Sequence, residues 1–253
     1  MKNTTVVKEN VLYVFNLIVS ILVVYLIIRL IAATDVRKSQ YVTMLITYLV
    51  LVIVYVFFAK GLMIGHFRGN GVRVSEHQFP EIHSIYVQQL QKLDIRAAPS
   101  LYCVQSNGVL NAFATRMAFR NYVVLYSEVL EAAFEHGESA VAYILAHELG
   151  HVKRLHLLKS KFIFFSFLLF PLRLAYSRSC EYTCDGIAKT MAPGGEVDGL
   201  LMLAAGRLLA SRINVPEYLE KAGSEKGFWV WFAEFMSTHP NLPKRIRRMR
   251  GGA

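Results

Sequence analysis

The sequence predicts a mainly α fold with a small β-sheet, an α+β domain carried behind an N-terminal hairpin of membrane-crossing helices. Three observations predict it. Apolar residues make up 54% of the 253 positions and charged residues only 18%. The apolar excess is crowded into two N-terminal runs. Behind them, helical periodicity dominates and two short apolar runs read as strands. This composition excludes a disordered chain. It also argues against a wholly soluble one, since ordinary domains carry about 25% charged residues. Three cysteines exclude a disulfide scaffold. Cys180 and Cys184 fit neither CxxC nor the usual zinc-knuckle spacing, so all three read as small reduced core residues.

Each element follows in order. Residues 11–33 and 41–59 are almost wholly apolar, and at about 1.5 Å per residue each reaches roughly 28–35 Å, enough for a hydrocarbon core of about 30 Å. In lipid the backbone must satisfy itself, so both runs are expected as transmembrane helices. A signal peptide would need an apolar stretch of only about 7–15 residues, which favours a retained anchor. The short linker 34–40 makes the pair an antiparallel hairpin. The positive-inside rule puts both ends in the cytoplasm through Lys2, Lys8, Lys60, Arg68 and Arg73, against the opposing charges Arg29, Arg37 and Lys38.

Residues 1–65 are thus expected as the anchor and 66–253 as one domain with its own core, with Gly65–Gly71 as linker. Pro80–Leu93 predicts an amphipathic helix through Ile82, Ile85, Tyr86 and Leu93. Leu101–Val104 and Tyr122–Tyr126 predict strands, with Asn107-Gly108 as a turn between them. Further helices are predicted from Glu138 through His156, over Cys180–Thr190 and over Leu200–Ile213.

The chemistry concentrates in His147-Glu148-Leu149-Gly150-His151. On a helix, positions i and i+4 lie about 40° apart, so both imidazoles aim at one spot. Two neutral imidazole nitrogens suit zinc, and Glu148 between them can take a proton from an attacking water. This is the H-E-x-x-H arrangement of zinc metalloproteases, although a core helix with two satisfied histidines can carry the same letters. A catalytic zinc wants a third protein ligand and one open position. Glu181, Asp185, Asp198, His156 and His239 are the downstream candidates. His156, five residues after His151, is expected on another helix face. Glu181 and Asp185 are four apart, so one can bind metal while the other accepts the second N–H of a ligating histidine.

Together with Ser177-Arg178-x-x-Glu181-Tyr182-x-x-Asp185, Thr238-His239-Pro240, Asn111–Thr115 and the run Tyr122–Ser127, the H-E-x-x-H helix resembles the membrane-bound gluzincin peptidases. These are the HtpX-type heat-shock proteases and type I CAAX prenyl endopeptidases. The resemblance spans about residues 75–249, and the N-terminal hairpin fits the HtpX-type layout. It implies a zincin-like domain with one catalytic Zn2+ held by His147, His151 and Glu181. It implies Glu148 as general base, Asp185 as the carboxylate orienting a histidine, and His239 beside the substrate, stabilising the developing oxyanion. Asn111 would contact substrate or support the cleft. The strand 122–126 would either pair with an extended peptide, with Val123 and Val124 as substrate contacts, or serve as an ordinary internal strand.

One departure from that family concerns the interval before Glu181, which lacks a further hydrophobic hairpin. Phe162–Leu172 is apolar but too short to span a bilayer. It reads as an interfacial or membrane-dipping segment, a wall of the cleft, or a core helix. The aromatic run Phe228–Phe232 suits a membrane interface or a core. The net charge of +10 and the basic run Lys244–Arg250 point to anionic lipid headgroups; no base-reading motif accompanies them, so nucleic acid is not an expected partner. The resulting expectation is a multi-pass zinc metalloendopeptidase of the bacterial inner membrane, its catalytic domain cytoplasmic, acting on membrane or membrane-proximal polypeptides in protein quality control. The alternatives are a zinc-binding scaffold without catalysis and an intramembrane protease of the site-two class.

Overall fold

A computed structural model describes residues 2–33, 39–105 and 111–251. Two long helices open the chain, α1 (Lys2–Ala33) and α2 (Gln40–Asn70). Both present apolar side chains outward along most of their length, Phe15, Ile18, Leu51 and Phe57 among them. Both helices are long and apolar enough to cross a membrane. Ser39 caps α2, its hydroxyl accepting from the Val42 amide at 3.4 Å.

The expected linker at Gly65–Gly71 is instead the last turn of α2. Gly65 and Gly69 do not interrupt it, because Ile64 and Phe67 are buried against Tyr102, Tyr122 and Val124 of the sheet. Tertiary packing outweighs the helix cost of two glycines, about 1 kcal/mol each. Gly71 ends the helix where a Cβ would come within 2.4 Å of the Phe67 carbonyl oxygen and 2.9 Å of Val104. Only glycine lets the chain turn so close to the sheet.

The sheet follows, with β1 (Val72–Arg73), β2 (Ser100–Val104), β3 (Ala112–Met117) and β4 (Arg120–Tyr126), in the order β1-β2-β4-β3. Helix α3 (Pro80–Lys92) lies between β1 and β2 in sequence and hydrogen-bonds α5 through Gln89, which donates to the Ala142 carbonyl at 2.8 Å. Strands β2 and β4 are parallel, and β3 pairs antiparallel with β4. The two strands read from the sequence are therefore neighbours but not a hairpin, and β3 was missed. The Asn107-Gly108 turn lies outside the described residues. Leu101, Cys103, Val123 and Leu125 point into the main core, and Tyr102, Tyr122 and Val124 point to the α2 side. Burial on both faces explains why 122–126 reads as an unbroken apolar run.

The remainder is helical: α4 (Ser127–His136), α5 (Glu138–Lys153), α6 (His156–Phe162), a 3-10 segment (Phe164–Leu169), α7 (Phe170–Met191), α8 (Glu196–Ala205), α9 (Arg207–Ala210), α10 (Val215–Ser224), α11 (Phe228–Met236) and α12 (Leu242–Met249). Two predicted helices are broken. Gly206, at φ 80°, separates α8 from α9 within the expected 200–213 helix. Leu155, at φ 58°, separates α5 from α6 within the expected 138–156 helix. Helices α5 and α7 pack closely, a Cβ on Gly150 standing 3.2 Å from the Cys184 sulfur. Helix α1 lies along α7 as well. The side-chain amide of Asn16 donates to the Leu172 carbonyl at 3.3 Å, and the rings of Tyr13 and Tyr176 are 5.8 Å apart. The segment 162–172 is no span. It packs beside α1 and leaves Phe162, Phe167, Leu168 and Phe170 exposed. The three cysteines are free and buried.

Candidate metal centre

Helix α5 is buried nearly along its whole length because Val141, Leu145, Ala146 and Leu149 fill the core. That packing aims His147 and His151 at α7. Their Nε2 atoms are 3.3 Å apart. Glu181 of α7 completes a triangle, its Oε2 3.3 Å from His147 Nε2 and its Oε1 3.3 Å from His151 Nε2. The chemistry of the set can be tested on these edges. Donors about 2.0–2.1 Å from a tetrahedral centre lie about 3.3–3.4 Å apart; the two Nε2 atoms match that separation and the Glu181 carboxylate meets each ring with a different oxygen, so the residues fit a zinc-sized ion. These three residues form one of the donor groups in the chain able to hold a metal.

Asp185, one turn beyond Glu181, is fully buried and places Oδ1 3.0 Å from His147 Nδ1. It also accepts from the Tyr143 hydroxyl at 2.9 Å and from Arg245 twice, Nε to Oδ2 at 2.8 Å and Nη2 to Oδ1 at 2.6 Å. Burial alone would raise its pKa, but the Arg245 guanidinium and His147 hold the carboxyl down at about 2. Burial likewise opposes ionisation of Glu181, and bonds from His147 and His151 outweigh it and keep the carboxylate well below its usual range. His147 is pushed up to about 10 in the metal-free chain: burial works against its charge, and Asp185 and Glu181 overcome that.

Arg245 was not recognised as part of the site. The basic run 244–250 was expected to face lipid, yet Arg245 is buried on α12, and its Nη1 lies 3.5 Å from Glu181 Oε2. Lys244 pairs with Glu234, Arg247 donates to the Leu219 carbonyl, and Arg248 lies 4.7 Å over the Tyr182 ring. The signal was the stripe Leu242, Arg245, Ile246, Met249, where Arg245 occupies an inward helical position. Arg178 was also missed. Its guanidinium donates to the carbonyls of Glu234, Phe235 and Ser237 at 3.2, 2.9 and 2.7 Å, fixing the segment that carries His239.

A cavity of about 330 Å³ opens beside the triangle, lined by His147, Glu148, Glu181, His239, Asn111 and Leu203 among others. Glu148 lines this cavity and makes no hydrogen bond or ion pair among the described residues. His239 is largely exposed, with Nε2 3.7 Å from Glu181 Oε1. Asn111 sits at the start of β3, its Oδ1 accepting from the Ala112 amide at 2.8 Å. Val123 and Val124 are not at the cavity. Both are fully buried, and β4 is paired on both sides, so its backbone cannot receive a peptide. The outer strand on that side is β3. Asp198 is not among the cavity-lining residues.

His156 also departs from expectation. The left-handed Leu155 ends α5 and turns the chain back, which brings His156 Nδ1 to 3.1 Å from His151 Nδ1. Burial pushes its pKa down to about 4, against the pull of Glu9. Two other donor groups include it, His151–His156–Cys184 and Glu9–His156–Cys180. Burial raises both thiols far above their usual range, which disfavours the thiolate a metal needs.

Two helices packed so that a histidine pair meets a carboxylate, beside a cleft lined by a glutamate without a partner among the described residues, define the class of metal-dependent peptidases. The family comparison bears on the same residues. The model of peptidase family M48 matches residues 76–170 and 157–253, and the chain belongs to that family, which comprises HtpX-type membrane zinc metallopeptidases. No curated protein matches the chain significantly.

Proposed function

We propose that the chain is a membrane-anchored zinc endopeptidase, with His147, His151 and Glu181 as metal ligands and Glu148 as general base. The observation that carries this is the convergence of the two imidazole Nε2 atoms and the Glu181 carboxylate, each ring 3.3 Å from one of its oxygens, beside a cavity that Glu148 lines without a partner among the described residues. Zinc, when bound, polarises the scissile carbonyl and makes water a stronger acid. Glu148 takes the proton of the attacking water and delivers it to the leaving amine. Asp185 holds His147 by its Nδ1–H, and Arg245 holds Asp185. His239 faces the cavity on the exposed side, where an N–H can meet the oxyanion. An extended substrate pairs with the outer edge of β3 next to Asn111, by β-augmentation.

Helices α1 and α2 serve as the two spans of a multi-pass anchor. The start of α1 and the end of α2 both pack on the catalytic domain, so both termini of the hairpin lie on its side of the bilayer. The charges Lys2, Lys8, Lys60 and Arg68 make that side the cytoplasm, in keeping with three free cysteines. The exposed phenylalanines of 162–170 lie beside α1 and enter the interface, and exposed Trp229 and Trp231 suit the same depth, near anionic headgroups. Substrates are then membrane or membrane-proximal polypeptides, as quality control requires. The donor group among the described residues numbers three and adjoins a cavity, which supports a catalytic over a closed structural metal, and α5 is a 16-residue helix buried in the domain, unlike the membrane-embedded helix of a site-two enzyme.

The test is purified full-length protein with equimolar zinc, assayed on an unfolded soluble protein and a membrane protein beside Glu148→Gln. The variant is expected to keep its metal and lose at least 100-fold in cleavage, an order-of-magnitude loss for a general base. Equal cleavage by both proteins would overturn the reading.

A further inference from the structure

A second line of buried polar groups leads away from the donor triangle, and the mechanism above does not use it. Glu9 is fully buried although it lies near the start of α1, just ahead of the apolar run. Its Oε1 is 3.0 Å from Arg154 Nη2, 3.5 Å from Lys159 Nζ and 3.1 Å from His156 Nε2. The opposite nitrogen of His156, Nδ1, is 3.1 Å from His151 Nδ1. His151 Nε2 is a corner of the triangle. The line therefore runs carboxylate, imidazole, imidazole, metal donor.

The protons fall into place along it. A His151 that offers its Nε2 lone pair to a metal carries its proton on Nδ1, and His156 Nδ1 stands there to accept it. The His156 proton then sits on Nε2, facing Glu9. That last approach lies off the N–H axis, so Glu9 holds the ring by charge rather than by an aligned hydrogen bond. Burying a carboxylate costs several kcal/mol unless partners converge on it. Here three do, all from residues 154–159, next to the left-handed Leu155 that aims His156 back at the site. A separate cation at Glu9, His156 and Cys180 is disfavoured, because burial raises the Cys180 thiol far above its usual range and Arg154 and Lys159 already sit on Glu9 Oε1. The two ligand histidines are thus supported differently: His147 by Asp185 directly, His151 by His156 with Glu9 behind it.

We propose that Glu9 is a positioning residue for the metal centre, acting through His156 to fix the ring of His151 and so tying one metal donor to the anchor helix. The inference rests on the ligand set of the proposed function. Its test is zinc affinity, measured on the full chain in detergent by competition with a chromogenic chelator, for wild type, Glu9→Gln, His156→Gln and the double variant. Circular dichroism checks that each is folded. Each single variant is expected to lose about 10-fold in affinity, the lower end for partners behind a metal ligand, and to lose kcat with KM unchanged. The double variant should be no worse than His156→Gln within about twofold, because Glu9 acts only through that ring. Additive losses, or a folded Glu9→Gln with wild-type affinity, overturn the proposal while zinc peptidase function stands. If Glu9→Gln does not fold, His156→Gln decides, since it leaves Glu9 its Arg154 and Lys159 partners. Wild-type affinity there overturns the proposal, and a tenfold loss supports it. A wild type that takes up no zinc defeats the underlying reading and this one with it.

Discussion

Replacing Asp185 by Asn is the most demanding probe of the site, because it changes one charge and almost no volume. The carboxylate accepts from Tyr143, His147 and twice from Arg245, all in the interior. Its pKa stands at about 2 against an ordinary 3.8. A lowering of that size is worth about 2 kcal/mol at neutral pH, since one unit is about 1.4 kcal/mol. The sign is that of a depressed acid: the stabilisation is present above about pH 4 and is lost as pH falls through 2. The Asn variant also strands a buried Arg245, and breaking a buried pair costs about 3–5 kcal/mol. For a domain of this size that is a fall in Tm of roughly 6–20 °C. Zinc affinity should drop about 10–100-fold, as His147 loses the acceptor for its Nδ1 proton. Differential scanning fluorimetry at pH 7 and chelator competition read the two effects. A variant within 2 °C and twofold of wild type would refute the argument that Asp185 joins the metal site to α12.

Other outcomes can be checked alongside. His147 has its pKa at about 10 without metal, so zinc must displace a proton at pH 7–8. Calorimetry in buffers of different ionisation enthalpy should show close to one proton released per ion, and affinity should rise about tenfold per pH unit below 10. Leu155→Gly, at a left-handed position, should be neutral or stabilising by up to about 1 kcal/mol, whereas Leu155→Val should destabilise by about 1–2 kcal/mol, as thermal unfolding can report. Gly71→Ala forces a Cβ onto the Phe67 carbonyl. It should cost about 1–3 kcal/mol and raise proteolytic nicking near residue 71.

The sequence made the histidine pair of the candidate metal site legible because helical geometry is local: a spacing of four puts two side chains on one face wherever the helix goes. His147 and His151 depend on that rule alone; Glu181 and Asp185 share the same spacing, but singling them out among five downstream candidates took the family resemblance. Arg245 and Glu9 depend on where distant helices land, which no spacing encodes. His156 was misread for a different reason. One left-handed residue, a leucine rather than the glycine or asparagine that announces such a turn, ends α5 early. Strand β4 looked like a docking strand because its apolar letters do not reveal which edges are already paired. Helix α2 ran past two glycines because the sheet, not its own propensity, holds its final turn.

That final turn has a mechanical meaning. With Ile64 and Phe67 seated against the sheet at one corner, and Asn16 and Tyr13 latched to α7 at another, the two N-terminal helices grip the peptidase body at two separate points. A single tether would let the body swivel; a double mounting fixes its orientation relative to both helices. If the two helices cross a bilayer as proposed, the site is held at a set elevation above it, and distance from the membrane would help choose where a polypeptide is cut.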